Sequence, residues 1–159
     1  MGIESQTKII DGQSVYVLPL LGETAALVFY QLQKCIAPAI VQALGALNIS
    51  SGKKIDVKKI FDSDIDIASL SGAIDSIHEK MIAAEWLSFL KTALSRTTVN
   101  DRAVGDKAHF DEVFSGKILL LYKTLWFSLG VNFGDFFDAV GFGATKENAE
   151  PKTTGLPKK

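Results

Sequence analysis

Two hydrophobic rhythms run along the chain. Residues 8–18, KIIDGQSVYVL, alternate, with Val15 and Val17 on one face and Tyr16 and Leu18 on the other. Such a period of two marks a strand. Asp11-Gly12 breaks the run with residue types that tolerate positive φ, which both central positions of a type I′ turn require. The segment is therefore predicted as a β-hairpin, ended by Pro19, which has no amide to give a ladder. Thr97–Val104, TTVNDRAV, repeats the scheme with shorter arms and a turn at Asn100-Asp101.

Elsewhere the apolar positions recur every three or four residues, as on one face of a helix. From Glu23 to about Leu47, a stripe of Leu27, Tyr30, Lys34, Ala37 and Val41 is broadened by Val28, Leu32, Cys35 and Ile36. Pro38 should kink or split this helix, because its ring removes a hydrogen bond and crowds the preceding turn. After a polar loop at Ser50–Lys54, Asp56 to Thr92 reads as two or three helical pieces, with Trp86, Leu87, Phe89, Leu90 and Leu94 closing the series. A last helical block runs from near Phe110 through Val140, with predicted breaks around Gly130 and Gly134. The fold class expected is mainly α: a small helical bundle with an N-terminal β-hairpin and a second short hairpin. One domain should span 1–143. Residues 144–159 hold two prolines and six charges, with one leucine and no aromatic residue. Too little surface is available there to offset the entropy of ordering, so a disordered tail is expected.

Composition narrows the function. Seventeen basic and eighteen acidic residues give a net charge of −1, without the basic footprint that phosphate neutralisation requires, so nucleic acid is not an expected partner. The single cysteine, Cys35, has no internal partner for a disulfide and falls in an apolar helical pattern, as a buried thiol does. MGIESQTK at the N-terminus lacks the features of a secretory signal. Lys117, Lys123, Asp135 and Asp138 interrupt the most apolar region, and no membrane span is expected.

Candidate chemistry is sparse. Asp62, Asp64 and Asp66 match the first ligand positions of a calcium loop, but the required glycine is Ile67 and the bidentate glutamate is Ala73. They suit a helix N-terminus better, where carboxylates complement the dipole. His78-Glu79 begins like a zinc-protease helix, yet the second histidine position holds Ile82. Ser115-Gly116-Lys117 imitates the end of a phosphate loop, with Asp111 where its first glycine belongs. His109, just before a helix, suits a capping or surface role. No catalytic residue, metal site or cofactor is expected.

What stands out is FSLGVNFGDFFDAVGFG, Phe127 to Gly143, with five phenylalanines and four glycines. Ile118, Leu121, Tyr122, Leu125, Trp126 and Leu129 make one stripe, while Leu119, Phe127 and Val131 fall on other sides. A helix apolar nearly all round is either central or covered by a partner. Trp126, Phe127, Phe133, Phe136, Phe137 and Phe142 are thus the candidate partner-binding residues. For Trp126 and Phe127 a core position competes with that role; for the other four both readings stay open.

The run FDEVFSGKILLLYKTLWFSLGVNFGDFF resembles the C-terminal signature of phage tail assembly chaperones, through Phe110, Asp111, Phe114, Gly116, Trp126, Val131, Asn132, Phe133 and Phe136. The TTVN element at Thr97–Asn100 and Gly12, Tyr16, Leu18 and Pro19 add to the likeness, which covers about residues 8–140. The resemblance implies a non-enzymatic protein of the host bacterial cytoplasm. It would bind the tape-measure protein, keep it soluble until tube subunits polymerise around it, and be absent from the finished virion. The tail tube protein is a second implied partner, and a homo-oligomer is compatible. The competing reading is a structural tail or head–tail component retained as a ring. The resemblance also raises a longer, frameshifted product, for which the lysine codons at Lys158-Lys159 would form the slippery run and residues 144–159 a flexible tether.

Overall fold

The computed structural model describes residues 3–35, 75 and 78–139. Strands β1 (Gln6–Ile10) and β2 (Gln13–Val17) form the N-terminal hairpin. Asp11 and Gly12 both take positive φ, 49° and 76°, as the turn chemistry predicts. Helix α1 (Gly22–Cys35) follows, and α2 (Ala83–Ala93) packs against it. Strands β3 (Thr97–Val99) and β4 (Arg102–Ala103) make the second hairpin, again with two positive φ values, 47° at Asn100 and 64° at Asp101. Helices α3 (Lys107–Phe114) and α4 (Ile118–Ala139) complete the described chain.

The two hairpins are not separate attachments. β2 pairs antiparallel with β3, placing Val15 beside Val99 and Val17 beside Thr97, and one four-stranded antiparallel sheet results in the order β1-β2-β3-β4. The fold is therefore mixed α/β, which corrects the mainly α expectation. Asn100 locks the junction: its N–H donates to the Ser14 carbonyl at 2.8 Å, its side-chain oxygen accepts from the Ser14 N–H at 2.9 Å, and its amide nitrogen donates to Gln13. Ile10, Val15, Val17 and Val99 are buried on one face of the sheet. They join Val28, Leu32, Phe89, Leu90, Leu94 and seven side chains of α4 between Leu120 and Phe133 in a single core.

Two helical expectations change. On α1 the buried side chains are Val28 and Leu32, with Ala25 and Phe29 packed beside them, whereas Leu27 and Tyr30 of the predicted stripe are 52% and 64% exposed. Both rows have helical period, and packing against α2 and the rest of the core places the Val28–Leu32 row inside. In the last block the break falls at Ser115–Lys117, where Gly116 takes φ 68°, and α4 runs unbroken through Gly130 and Gly134. A helix glycine costs up to about 1 kcal/mol relative to alanine. Burial of Phe127, Leu129, Val131 and Phe133 around those glycines outweighs it, at roughly 1.5–3 kcal/mol per large apolar side chain. The expected kink at Pro38, the helices of 56–74, the Asp62–Asp66 segment and the 144–159 tail lie outside the described residues.

One glycine is required by space. A Cβ on Gly105 would sit 2.8 Å from the Ser95 carbonyl oxygen and 3.0 Å from its Cα, and backbone cannot swing aside as a side-chain tip can. Gly105→Ala is expected to destabilise the chain by about 1–3 kcal/mol, read as a lower urea midpoint at unchanged slope. An unchanged midpoint would show that the α2–β3 turn and the start of α3 are not held together this closely.

Candidate partner-binding surface

Helix α4 is the central strut. It contacts β1, β2, α2 and α3, and from Thr124 to Gly134 only Trp126 and Gly130 escape full burial. Asp106 starts the preceding helix α3 by accepting the N–H of Ala108 at 2.9 Å and of His109 at 3.4 Å, so the cap belongs to Asp106. The His109 side chain is exposed beside the Ala103 carbonyl.

Buried within α4 is a row the sequence reading passed over. Thr124, Ser128 and Asn132 recur every four residues and all are buried. The Ser128 hydroxyl donates to the Ala93 carbonyl at 3.0 Å, satisfying an acceptor at the C-terminal end of α2 that has no intrahelical donor. Asn132 accepts the Leu20 N–H at 2.7 Å and donates to the Ser128 carbonyl at 2.9 Å. This single side chain therefore fixes the β2–α1 connection to the central helix. Its signal in the sequence was the i, i+4 spacing of polar residues inside an apolar helix. The hydroxyls of Thr124 and Thr97 are buried without a hydrogen-bond partner, a cost the surrounding apolar packing must offset.

The aromatic candidates separate. Phe127 and Phe133 are buried, at 4% and 6% exposure. Trp126 is half-buried against the core, and Lys8 lies 5.9 Å from the Phe127 ring centroid. Phe136 is 42% exposed. It meets the Phe29 ring edge-on at a centroid distance of 4.6 Å, and Phe29 also touches Phe133 at 5.6 Å. Phe29 thus bridges the buried and the exposed ring, bringing the end of α4 against α1. Phe137 belongs to α4, and Phe142 lies outside the described residues. Leu21, Leu27 and Tyr30 are exposed large apolar side chains around α1, as are Ile82 and Leu87 around α2. None of these was among the candidates.

Lys123 pairs with Asp11 at 2.6 Å, tying α4 to the first hairpin turn, and Arg102 pairs with Glu112. A shallow depression of about 230 Å³ opens beside that turn, lined by Asp11, Gln13, Lys117, Leu119 and Leu120. Among the described residues, no group of three or more His, Cys, Asp or Glu side chains could hold a metal ion, and no helix is long and apolar enough to cross a membrane.

A family model described as phage tail assembly chaperone protein matches residues 11–144, a span that takes in the first turn, the sheet junction and all of α4. The chain belongs to the phage tail assembly chaperone family. No curated protein and no solved structure matches it. Among the described residues, the exposed large apolar side chains lie on the N-terminal hairpin and the segment before it (Ile3, Ile9), around α1 and α2, at the start of α4 (Ile118) and at Phe136.

Proposed function

We propose that this chaperone binds the tape-measure protein of the tail, keeps it soluble in the host bacterial cytoplasm until tube subunits assemble around it, and performs no catalysis. The observation that supports this reading is the exposure of Leu27, Tyr30 and Phe136 on a member of the tail assembly chaperone family. A long helical client offers apolar stripes, and an aromatic edge beside an apolar helix face can receive one as helix-in-groove packing. Aromatic anchors dominate such interfaces. Phe136 is the anchor in this reading, and Phe137 and Phe142 follow it in the sequence as further candidates. Phe127, Phe133 and Trp126 hold α4 in place beneath it, and the tail tube protein is a second partner.

The test is co-expression with the tape-measure protein of the same gene cluster, followed by pull-down and by mass spectrometry of purified virions. Co-purification of the tape-measure protein, with the chaperone missing from virions, is the expected pair of results. A stoichiometric amount in the virion would instead establish a structural ring component.

A further inference from the structure

We infer that the outer edge of β1 pairs with the same edge of a second copy of this chain, about a two-fold axis at Gln6. The two edges of the sheet are unlike. β4 is two residues long, and its Arg102 is paired with Glu112 of α3, which packs over that end. β1 is five residues long, with no proline and no bulge in its register with β2. A short strand, a proline, a bulge and an edge lysine are usual guards of a sheet edge, and of these β1 carries only Lys8.

The register fixes which backbone groups are open. In a two-residue hairpin the residues flanking the turn exchange hydrogen bonds, and the exchange recurs at every second residue. Ile10, Lys8 and Gln6 therefore bond to β2, opposite Gln13, Val15 and Val17. Ile9 and Thr7 aim their N–H and C=O groups outward, and Ser5 and Ile3 continue that series on the segment leading into the strand. Ile9 and Ile3 are also exposed large apolar side chains.

Segment 3–9, IESQTKI, complements itself when run antiparallel about Gln6. Ile3 then faces Ile9 of the second copy, Glu4 faces Lys8, Ser5 faces Thr7, and Gln6 faces its own equivalent. Directly opposed pairs set the energy of a sheet, and opposite charges or matched apolar groups stabilise it. A shift of two residues toward the turn, with Lys8 on the axis, would oppose Lys8 to Lys8. Charge therefore selects the Gln6 register. The outward residues Ile3, Ser5, Thr7 and Ile9 supply every intermolecular backbone bond in it, and the result is a continuous eight-stranded sheet, the isologous form of a two-fold dimer.

The full chain, in a Cys35→Ser background, is examined by sedimentation and by mild oxidation. Concentration-dependent dimers are expected. Gln6→Cys should cross-link into a covalent dimer, since directly opposed residues at a non-hydrogen-bonded pair approach within disulfide range. Ile9→Cys, opposed to Ile3, should not. Thr7→Pro removes an N–H that the β1–β2 ladder does not use. It should weaken dimerisation by about ten-fold or more, by deleting two symmetry-related bonds, with the thermal melt of the monomer retained. A chain monomeric at every concentration, a dimer indifferent to Thr7→Pro, or cross-linking through Ile9→Cys in place of Gln6→Cys would overturn the inference. A monomer whose edge instead captures a strand of a tail protein would overturn it as well.

Discussion

Phe133→Ala is expected to lower the unfolding free energy by about 3–5 kcal/mol, the largest effect of any single change at the aromatic cluster. The ring is buried in the core and touches Phe29, so its loss removes apolar burial and leaves a cavity that the central helix cannot close. Phe136→Ala, at a ring that is 42% exposed and meets Phe29 edge-on, should cost clearly less, because less of its apolar surface is removed from water. Client capture should rank the other way. Phe136→Asp weakens it by about 2 kcal/mol or more if Phe136 is an anchor, while a correctly folded Phe133 variant retains it. Denaturant unfolding paired with pull-down separates the two. Equal losses of stability at both positions would mean that the end of α4 is core throughout.

Asn132→Ala is expected to cost about 2–3 kcal/mol, which is large for a polar side chain. Its carboxamide is the partner of the Leu20 N–H and also donates to the Ser128 carbonyl. Truncation strands a part-buried donor, with a penalty of about 1–3 kcal/mol, and forfeits the packing of the side chain as well. Asn132→Asp adds a sign that can be checked. The substituted carboxylate keeps the acceptor for Leu20 but has no donor for Ser128, and burial favours its neutral form. The folded state then holds the proton more tightly than the unfolded state does. The variant should gain stability as pH falls through the carboxylate range, and lose it as pH rises. An Asn132→Asp variant as stable as the parent at neutral pH would remove this side chain from its bridging role.

The parts of the fold that were legible in the sequence are those decided locally. Asp11-Gly12 and Asn100-Asp101 announce their turns because few residue types accept two consecutive positive φ values. The union of the hairpins was not legible. The pairing of Val15 with Val99 joins strands far apart in the chain and leaves no local pattern. On α1, Leu27-Tyr30 and Val28-Leu32 are equally helical in spacing, and tertiary packing against α2 and the core decides which row is inside. Gly130 and Gly134 argue for a break by propensity, but tertiary burial overrides propensity in a helix enclosed on most sides.

The candidate surface was legible in its aromatic density and not in its geometry. Composition alone does not distinguish Phe133 from Phe136, three residues apart on one helix. Their difference is set by where α4 leaves the core. Leu27 and Tyr30 fall on a helical stripe in the sequence and are not among the candidates there, yet both are exposed on α1.

The most direct measurement is the soluble fraction of the tape-measure protein, expressed alone, with this chaperone, and with a Leu27→Asp/Phe136→Asp variant whose melting temperature matches the parent. Binding a client that would otherwise aggregate keeps it in solution by mass action. The predicted result is a mostly insoluble tape-measure protein alone, a mostly soluble one with the parent chain, and a return to the pellet with the variant. A tape-measure protein equally soluble with and without the chaperone would contradict the proposed role, and full rescue by the folded variant would contradict the proposed surface.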